Sequence, residues 1–258
     1  MAGMEPLVSV VIPAHDAGEF LRPAVLSALA AGRGTAEAVV VDDGSTDGSA
    51  EGLEALGATV VRRERGGEAS ARNAGVRAAR GRFVTFLDAD DLLEEAGLAP
   101  RVAALEADPA AFAVGGLPSA LVGARGEVLA PVFERMAAAR GAPFTLTLED
   151  YRLDRFFPVS CSLYVYRREA FARAGLFDES LAAAPDADFH FRLLSLGGVR
   201  VLRVPAFARR LHGANMSLAG RAGAAPEFRP EIRAAIEEVN RRHGLSPAAV
   251  APWEAEYL

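Results

Sequence analysis

This chain of 258 residues contains no lysine; its 28 basic side chains are all arginine. That absence excludes a P-loop nucleotide hydrolase, which needs Gly-Lys-Ser/Thr. It also argues against receiver domains, which place acidic pairs at strand ends but use a lysine. Cysteine is almost absent: Cys161 stands alone, so no intrachain disulfide can form. This suits a reducing compartment. No apolar run approaches the ~18–20 residues that span a bilayer. The opening "MAGMEPLVSVVIPAHD" lacks the basic region and long apolar stretch of a signal peptide. The expectation is a soluble, cytoplasmic protein, with peripheral contact at the inner face of the membrane left open. The first strand is not followed by G-x-G-x-x-G, so a dinucleotide-binding Rossmann domain is not indicated. The net charge of -6 argues against a nucleic-acid partner.

Hydrophobic residues make up 51% and charged residues 24%, a globular composition. "LVSVVI" (7–12) and "AEAVVV" (36–41) read as buried strands. So do "ATVVR" (58–62) and "RFVTFLD" (82–88). Helices are expected between them, from Glu19 to Ala31 with Leu21, Val25 and Leu29 on one face, and over 68–80. Leu98, Val102 and Leu105 give a further helical face. This βαβα order implies a parallel sheet covered by helices. The second half is less regular. Strands are expected at 111–116, 160–167 and 199–205, and a helix at 187–197. Phe228, Ile232, Ile236 and Val239 mark a C-terminal amphipathic helix. One domain is expected over 1–258: a nucleotide-binding half to about 108, an acceptor-side half over about 109–225, and a helical extension over about 226–258.

Chemistry concentrates where apolar runs end in carboxylates. In "FVTFLDADDLLEE" (83–95), Asp88 and Asp90 lie two apart and can converge beyond the strand end. Ligands of open α/β sheets sit at such ends, and Mg²⁺ or Mn²⁺ is the natural neutraliser of two close carboxylates. Asp91 with Glu94 reads as a capping box. Asp43, with Asp42, abuts "VVV" and can accept hydrogen bonds from a nucleobase or ribose. Arg72 sits near a helix start, where phosphate is favoured; a solvated surface arginine is the equal alternative. Asp186 and Asp188 open another helix. One of them suffices as a cap, and the pair can instead supply a general base. His212 lies in a turn-like stretch, where a structural histidine is the commoner case.

Taken together, these segments resemble a family 2 glycosyltransferase with the GT-A fold. The carriers are "VSVVIPAHD" (8–16), "VVDDGSTD" (40–47), "ARNAG" (71–75), "FLDADD" (86–91), "GLFDE" (175–179) and "PDADF" (185–189), in that order. The resemblance implies an α/β fold with a mainly parallel central sheet flanked by helices and an irregular acceptor-side second half. It implies inverting transfer of a sugar from a UDP-, GDP- or dTDP-linked donor to a hydroxyl on a saccharide, lipid-linked or other acceptor. It places Pro13, His15 and Asp43 in the nucleobase pocket, Arg72 and Asp88 at the nucleotide, and Asp90, Asp88 and His212 at a Mn²⁺ or Mg²⁺ ion. Asp186 becomes the catalytic base. Sugar nucleotidyltransferases share a related fold but usually carry a Gly-rich loop and functional lysines. Two positions depart from the pattern: Pro185 replaces the usual Glu before the base, and Asp16 the usual Asn. They support one rival, a degenerate protein that binds nucleotide sugar or serves as a partner subunit without turnover. Cys161 is expected to be a packed side chain.

Overall fold

The computed structural model describes residues 5–148, 150, 160–181, 183–213, 215, 218–219, 227–228 and 230–244. The first half follows the expected alternation. Strand β1 (Val8–Ala14) lies in the middle of the sheet, with β2 (Ala36–Asp43) on one side and β4 (Phe83–Phe86) on the other, both parallel to it. Strand β3 (Thr59–Arg63) is parallel to β2 at the sheet edge. The middle strands are β-branched and buried on both faces, as strands covered by helices on both sides must be. Helices α1 (Leu21–Gly32) and α2 (Glu68–Ala78) cross between them. Gly75 of α2 lets that helix lie on β1: a Cβ there would meet Val11 Cγ1 at 2.2 Å.

The second half adds strands the periodicity did not show. After β5 (Leu92–Leu93) and α3 (Glu95–Ala107) come β6 (Ala113–Leu117), β7 (Ala120–Val122), β8 (Val128–Pro131), α4 (Phe133–Arg140) and β9 (Phe144–Leu146). Then follow β10 (Tyr164–Arg167), α5 (Ala170–Arg173), α6 (Pro185–Leu194), β11 (Val199–Pro205), β12 (Phe207–Arg210) and α7 (Pro230–Arg242). The main sheet runs β3-β2-β1-β4-β10-β6-β11-β9. It is mixed, because β10 runs antiparallel to both β4 and β6, and β9 antiparallel to β11. The sheet is nonetheless mainly parallel, as expected, because β6 and β11 pair parallel and only β10 and β9 run against the other strands. A smaller sheet, β5-β12-β7-β8, lies beyond the acidic end of β4. Helix α7 begins at Pro230, so Phe228 belongs to a short strand before it and not to the helix. Among the described residues, no helix is long and apolar enough to cross a membrane.

Candidate active site

The parallel registers bring three chain segments to one edge. Ala14 pairs with Asp42, and Val11 with Phe86, so residues 15–16, 43–46 and 87–91 emerge side by side. His15 Nδ1 donates to the Asp43 carbonyl at 3.0 Å. A carbonyl can only accept, so Nδ1 carries the hydrogen. Nε2 then faces the Arg65 guanidinium and lies 3.4 Å from Asp16. Asp16 has φ 46, the left-handed region that, after glycine, Asn and Asp tolerate best. Its Oδ1 accepts the Thr46 amide at 2.7 Å, and that bond chiefly holds its pKa below the usual range.

Asp43 is buried, and its carboxylate is already engaged. It accepts from Gly66 N at 3.0 Å, Gly67 N at 2.8 Å and Arg63 Nε at 3.0 Å. It therefore fixes the 64–67 loop opposite His15. Pro13 is partly buried in the same strand end.

Arg72 is buried, which removes the reading of it as a solvated surface arginine. It lies 2.7 Å from Glu68 and 3.2 Å from Asp88, with its guanidinium 5.6 Å from the Phe177 ring. Burial by itself lowers its pKa. Glu68 foremost, with Asp88 and Asp186, outweighs that penalty and raises its pKa.

The acidic cluster is neutralised from far along the chain. Short β5 pairs antiparallel with β12 (Phe207↔Leu93), which carries Arg209 and Arg210 to the end of β4. Arg209 Nη1 bridges Asp88 at 3.2 Å and Asp91 at 3.1 Å. The Arg210 amide donates to Asp91 Oδ1 at 2.8 Å, and its Nε to the Asp90 carbonyl at 2.8 Å. Asp91 is fully buried, and helix α3 begins only at Glu95 without a side-chain cap from Glu94. The expected capping box is therefore absent; Asp91 anchors β12 instead. Burial raises the Asp91 pKa well above normal, against the pull of Arg209. Asp90 Oδ2 accepts from His212 Nε2 at 3.0 Å and Asn215 Nδ2 at 3.1 Å. Burial would raise its pKa, but the His212 bond and Arg209 outweigh it and lower the value. The His212 ring stacks on Phe20, centroids 4.5 Å apart. Arg65, Arg209, Arg210 and Asn215 were not singled out from sequence. The "RR" before His212 was visible, yet in a chain this rich in arginine it carries no contrast.

Among the described residues, no three His, Cys, Asp or Glu side chains gather as a metal cage. Mg²⁺ or Mn²⁺ needs no such cage when phosphates and waters complete its shell. Asp90 offers an anionic oxygen, and His212 a nitrogen once it gives up the Nε2 hydrogen it now donates to Asp90, so the donor chemistry fits such an ion.

Pro185 occupies the first turn of α6, where its missing N–H costs nothing. Asp186 is the next residue. It is partly buried, and its carboxyl is pushed up to about 7, first by burial and then by Glu68 and Asp88, with Arg72 opposing. Asp188 points elsewhere: it accepts from Arg192 at 2.7 Å and from His243 at 2.8 Å. Cys161 is buried, and burial pushes its thiol pKa far up, which leaves it unreactive.

The chain belongs to glycosyl transferase family 2: the model described as "Glycosyl transferase family 2" matches residues 9–175. It is 31% identical over 193 residues to the uncharacterized glycosyltransferase EpsJ of Bacillus subtilis (strain 168), covering 72% of this chain and 56% of EpsJ. It is 37% identical over 98 residues to the glycosyltransferase GlyG of Streptococcus pneumoniae, covering 36% of this chain and 33% of GlyG. The chain thus spans about half or less of the length of these relatives. The solved structure of S. aureus TarS 1–349 in complex with UDP-GlcNAc superposes with TM-score 0.65 at 21% identity, over 93% of this chain and 65% of that one. That likeness establishes the GT-A fold.

Proposed function

We propose that the protein transfers a sugar from a nucleotide-diphosphate sugar to an acceptor hydroxyl, with inversion, and that Asp186 is the general base. The observation that carries this reading is the Asp186 carboxyl. It is held apart from the structural Asp188 pairing and poised near pH 7, where a base is most effective. The nucleobase pocket is formed by Pro13, His15 and the loop that Asp43 fixes, with Arg65 at its side. Asp88, at the adjoining strand end, and Arg72 of α2, which contacts it, face the nucleotide. Asp90 and His212 would hold Mn²⁺ or Mg²⁺, with Asp88 contributing. When bound, such an ion offsets the negative charge that builds on the departing diphosphate.

In the reaction, the acceptor oxygen forms a bond to the anomeric carbon as the bond to the diphosphate breaks. The hydroxyl proton passes to Asp186. One displacement suffices, so no covalent intermediate forms on the protein. The TarS complexes with UDP and UDP-GlcNAc support a nucleotide-sugar donor and put UDP-sugars first among the candidates.

The experiment is a thermal-shift screen of UDP-, GDP- and dTDP-sugars with Mn²⁺ or Mg²⁺, followed by turnover across an acceptor panel. A donor that binds the folded state raises its apparent stability. A donor that binds yet is never transferred, across saccharide and lipid-linked acceptors, would favour the non-catalytic binding protein instead.

A further inference from the structure

The acidic strand end holds a cation of its own. Arg209 Nη1 touches Asp88 Oδ2 and Asp91 Oδ2 at 3.2 and 3.1 Å, and its side chain is 12% exposed. The two carboxylates it bridges are not equivalent. Asp91 is fully buried, and its other oxygen takes the Arg210 amide. It cannot lose its counter-charge without a large penalty. Asp88 is 25% exposed, and Arg72 holds its other oxygen. Asp88 Oδ2 is therefore the exchangeable end of the bridge.

The backbone beneath Arg209 is fixed. Arg210, next in β12, donates to the carbonyls of Asp90, Gly123 and Ala124, and its guanidinium lies over the Phe20 ring at 5.3 Å. Strand β12 is thus pinned on both sides, so any adjustment at Arg209 falls on its side chain. A divalent ion reaching Asp88 would meet that guanidinium at the same oxygen, and two cations at contact distance repel strongly. A diphosphate arriving with the ion offers the guanidinium a new anionic partner suited to its planar fork.

We infer that Arg209 is a positioning residue that competes with the divalent cation for Asp88 and turns to the diphosphate when the cation takes that oxygen. This rests on the proposed cation-assisted binding of a nucleotide diphosphate. It predicts opposite effects of one substitution on two ligands.

The test measures Mn²⁺ alone by electron paramagnetic resonance, and UDP with Mn²⁺ by calorimetry. Arg209→Met should bind Mn²⁺ about tenfold tighter and UDP with Mn²⁺ about tenfold weaker, the weight of one charge-assisted hydrogen bond. A diffuse field would also move both ligands, so the cycle with Asp88→Asn decides. In the Asp88→Asn background, Arg209→Met should leave Mn²⁺ affinity within about twofold, because the contested oxygen is gone. An equal gain in both backgrounds, or no gain in either, overturns the competition. If Arg209→Met does not fold by circular dichroism, Arg209→Gln serves. It keeps a hydrogen-bond donor for Asp91 but carries no charge, so it should still tighten Mn²⁺ binding; unchanged affinity overturns the inference. The Mn²⁺ titration does not depend on nucleotide. UDP that binds none of these proteins therefore counts against the UDP-sugar reading and the turn to diphosphate, while the competition for Asp88 is judged by Mn²⁺ alone.

Discussion

Replacing Asp186 with Asn probes the centre of the site in two ways at once. Asn keeps the shape of the side chain but cannot take a proton. In the fold the carboxyl rises from 3.8 to about 7, chiefly by burial, with Glu68 and Asp88 adding and Arg72 opposing. Each unit corresponds to about 1.4 kcal/mol, so ionising Asp186 in the folded protein costs roughly 3–5 kcal/mol. The sign follows from where the proton sits. Between pH 3.8 and about 7 the folded carboxyl keeps its proton while the unfolded one releases it. This contribution to stability is full below the lower value, declines through that window and is flat above it. The Asn variant has no such decline, so its stability relative to wild type should grow as pH rises from 4 to 7. Transfer should behave oppositely. Wild-type turnover should fall about tenfold per unit below pH 7 as the base is protonated, and the variant at pH 8 should be slower by at least ~10²-fold. Calorimetric unfolding at pH 5 and 8, beside initial-rate transfer assays, reads both. Near-wild-type transfer by the variant, or a stability difference that ignores pH, would refute the assignment. Asp188→Asn is the control. It strips a charged acceptor from Arg192 and His243, so it should cost about 1.5–3 kcal/mol of stability and little turnover. Loss of transfer there, with Asp186 dispensable, would mean that the base is Asp188.

Asp90→Asn should weaken Mn²⁺-dependent nucleotide binding about tenfold or more, because it removes the charge beside His212; equal calorimetric affinities would sink the role. Asp43→Ala leaves the Gly66 and Gly67 amides without their acceptor, so it should cost about 1–3 kcal/mol and weaken nucleotide binding. Hydrogen exchange should rise across residues 64–67, and unchanged protection there would show that Asp43 does not hold the loop. Gly97→Ala should lower the melting temperature, by the equivalent of about 1–3 kcal/mol or more. Its Cβ would lie 1.5 Å from the Pro205 carbonyl oxygen, so an unshifted melt contradicts that packing. Cys161 should resist iodoacetamide in the native state and react only on unfolding; rapid native labelling would refute its burial.

What was legible in the sequence was local. Short runs of β-branched and aromatic residues marked β1, β2 and β4, because strands covered on both faces need largely apolar side chains. The carboxylates that close those strands marked the site edge, since a strand end is a point in sequence as well as in space. The two-residue separation of Asp186 and Asp188 already turned them to different sides of a helix, and the structure pairs only Asp188 with Arg192 and His243. Non-local pairing was not legible. Strand β5 has two residues, too few to show a period, yet it docks β12 and so delivers Arg209 to Asp91 from 118 positions away. The same contact turned Asp91 from an expected helix cap into a buried anchor. Insertion of β10 antiparallel between β4 and β6 followed from sheet order, which no local pattern encodes. Charge type gave no help, since one basic residue in this chain looks like any other. Sequence alone determined where the carboxylates gather; which cations meet them was decided by the tertiary fold, because sheet order sets the distance between charges and chain order does not.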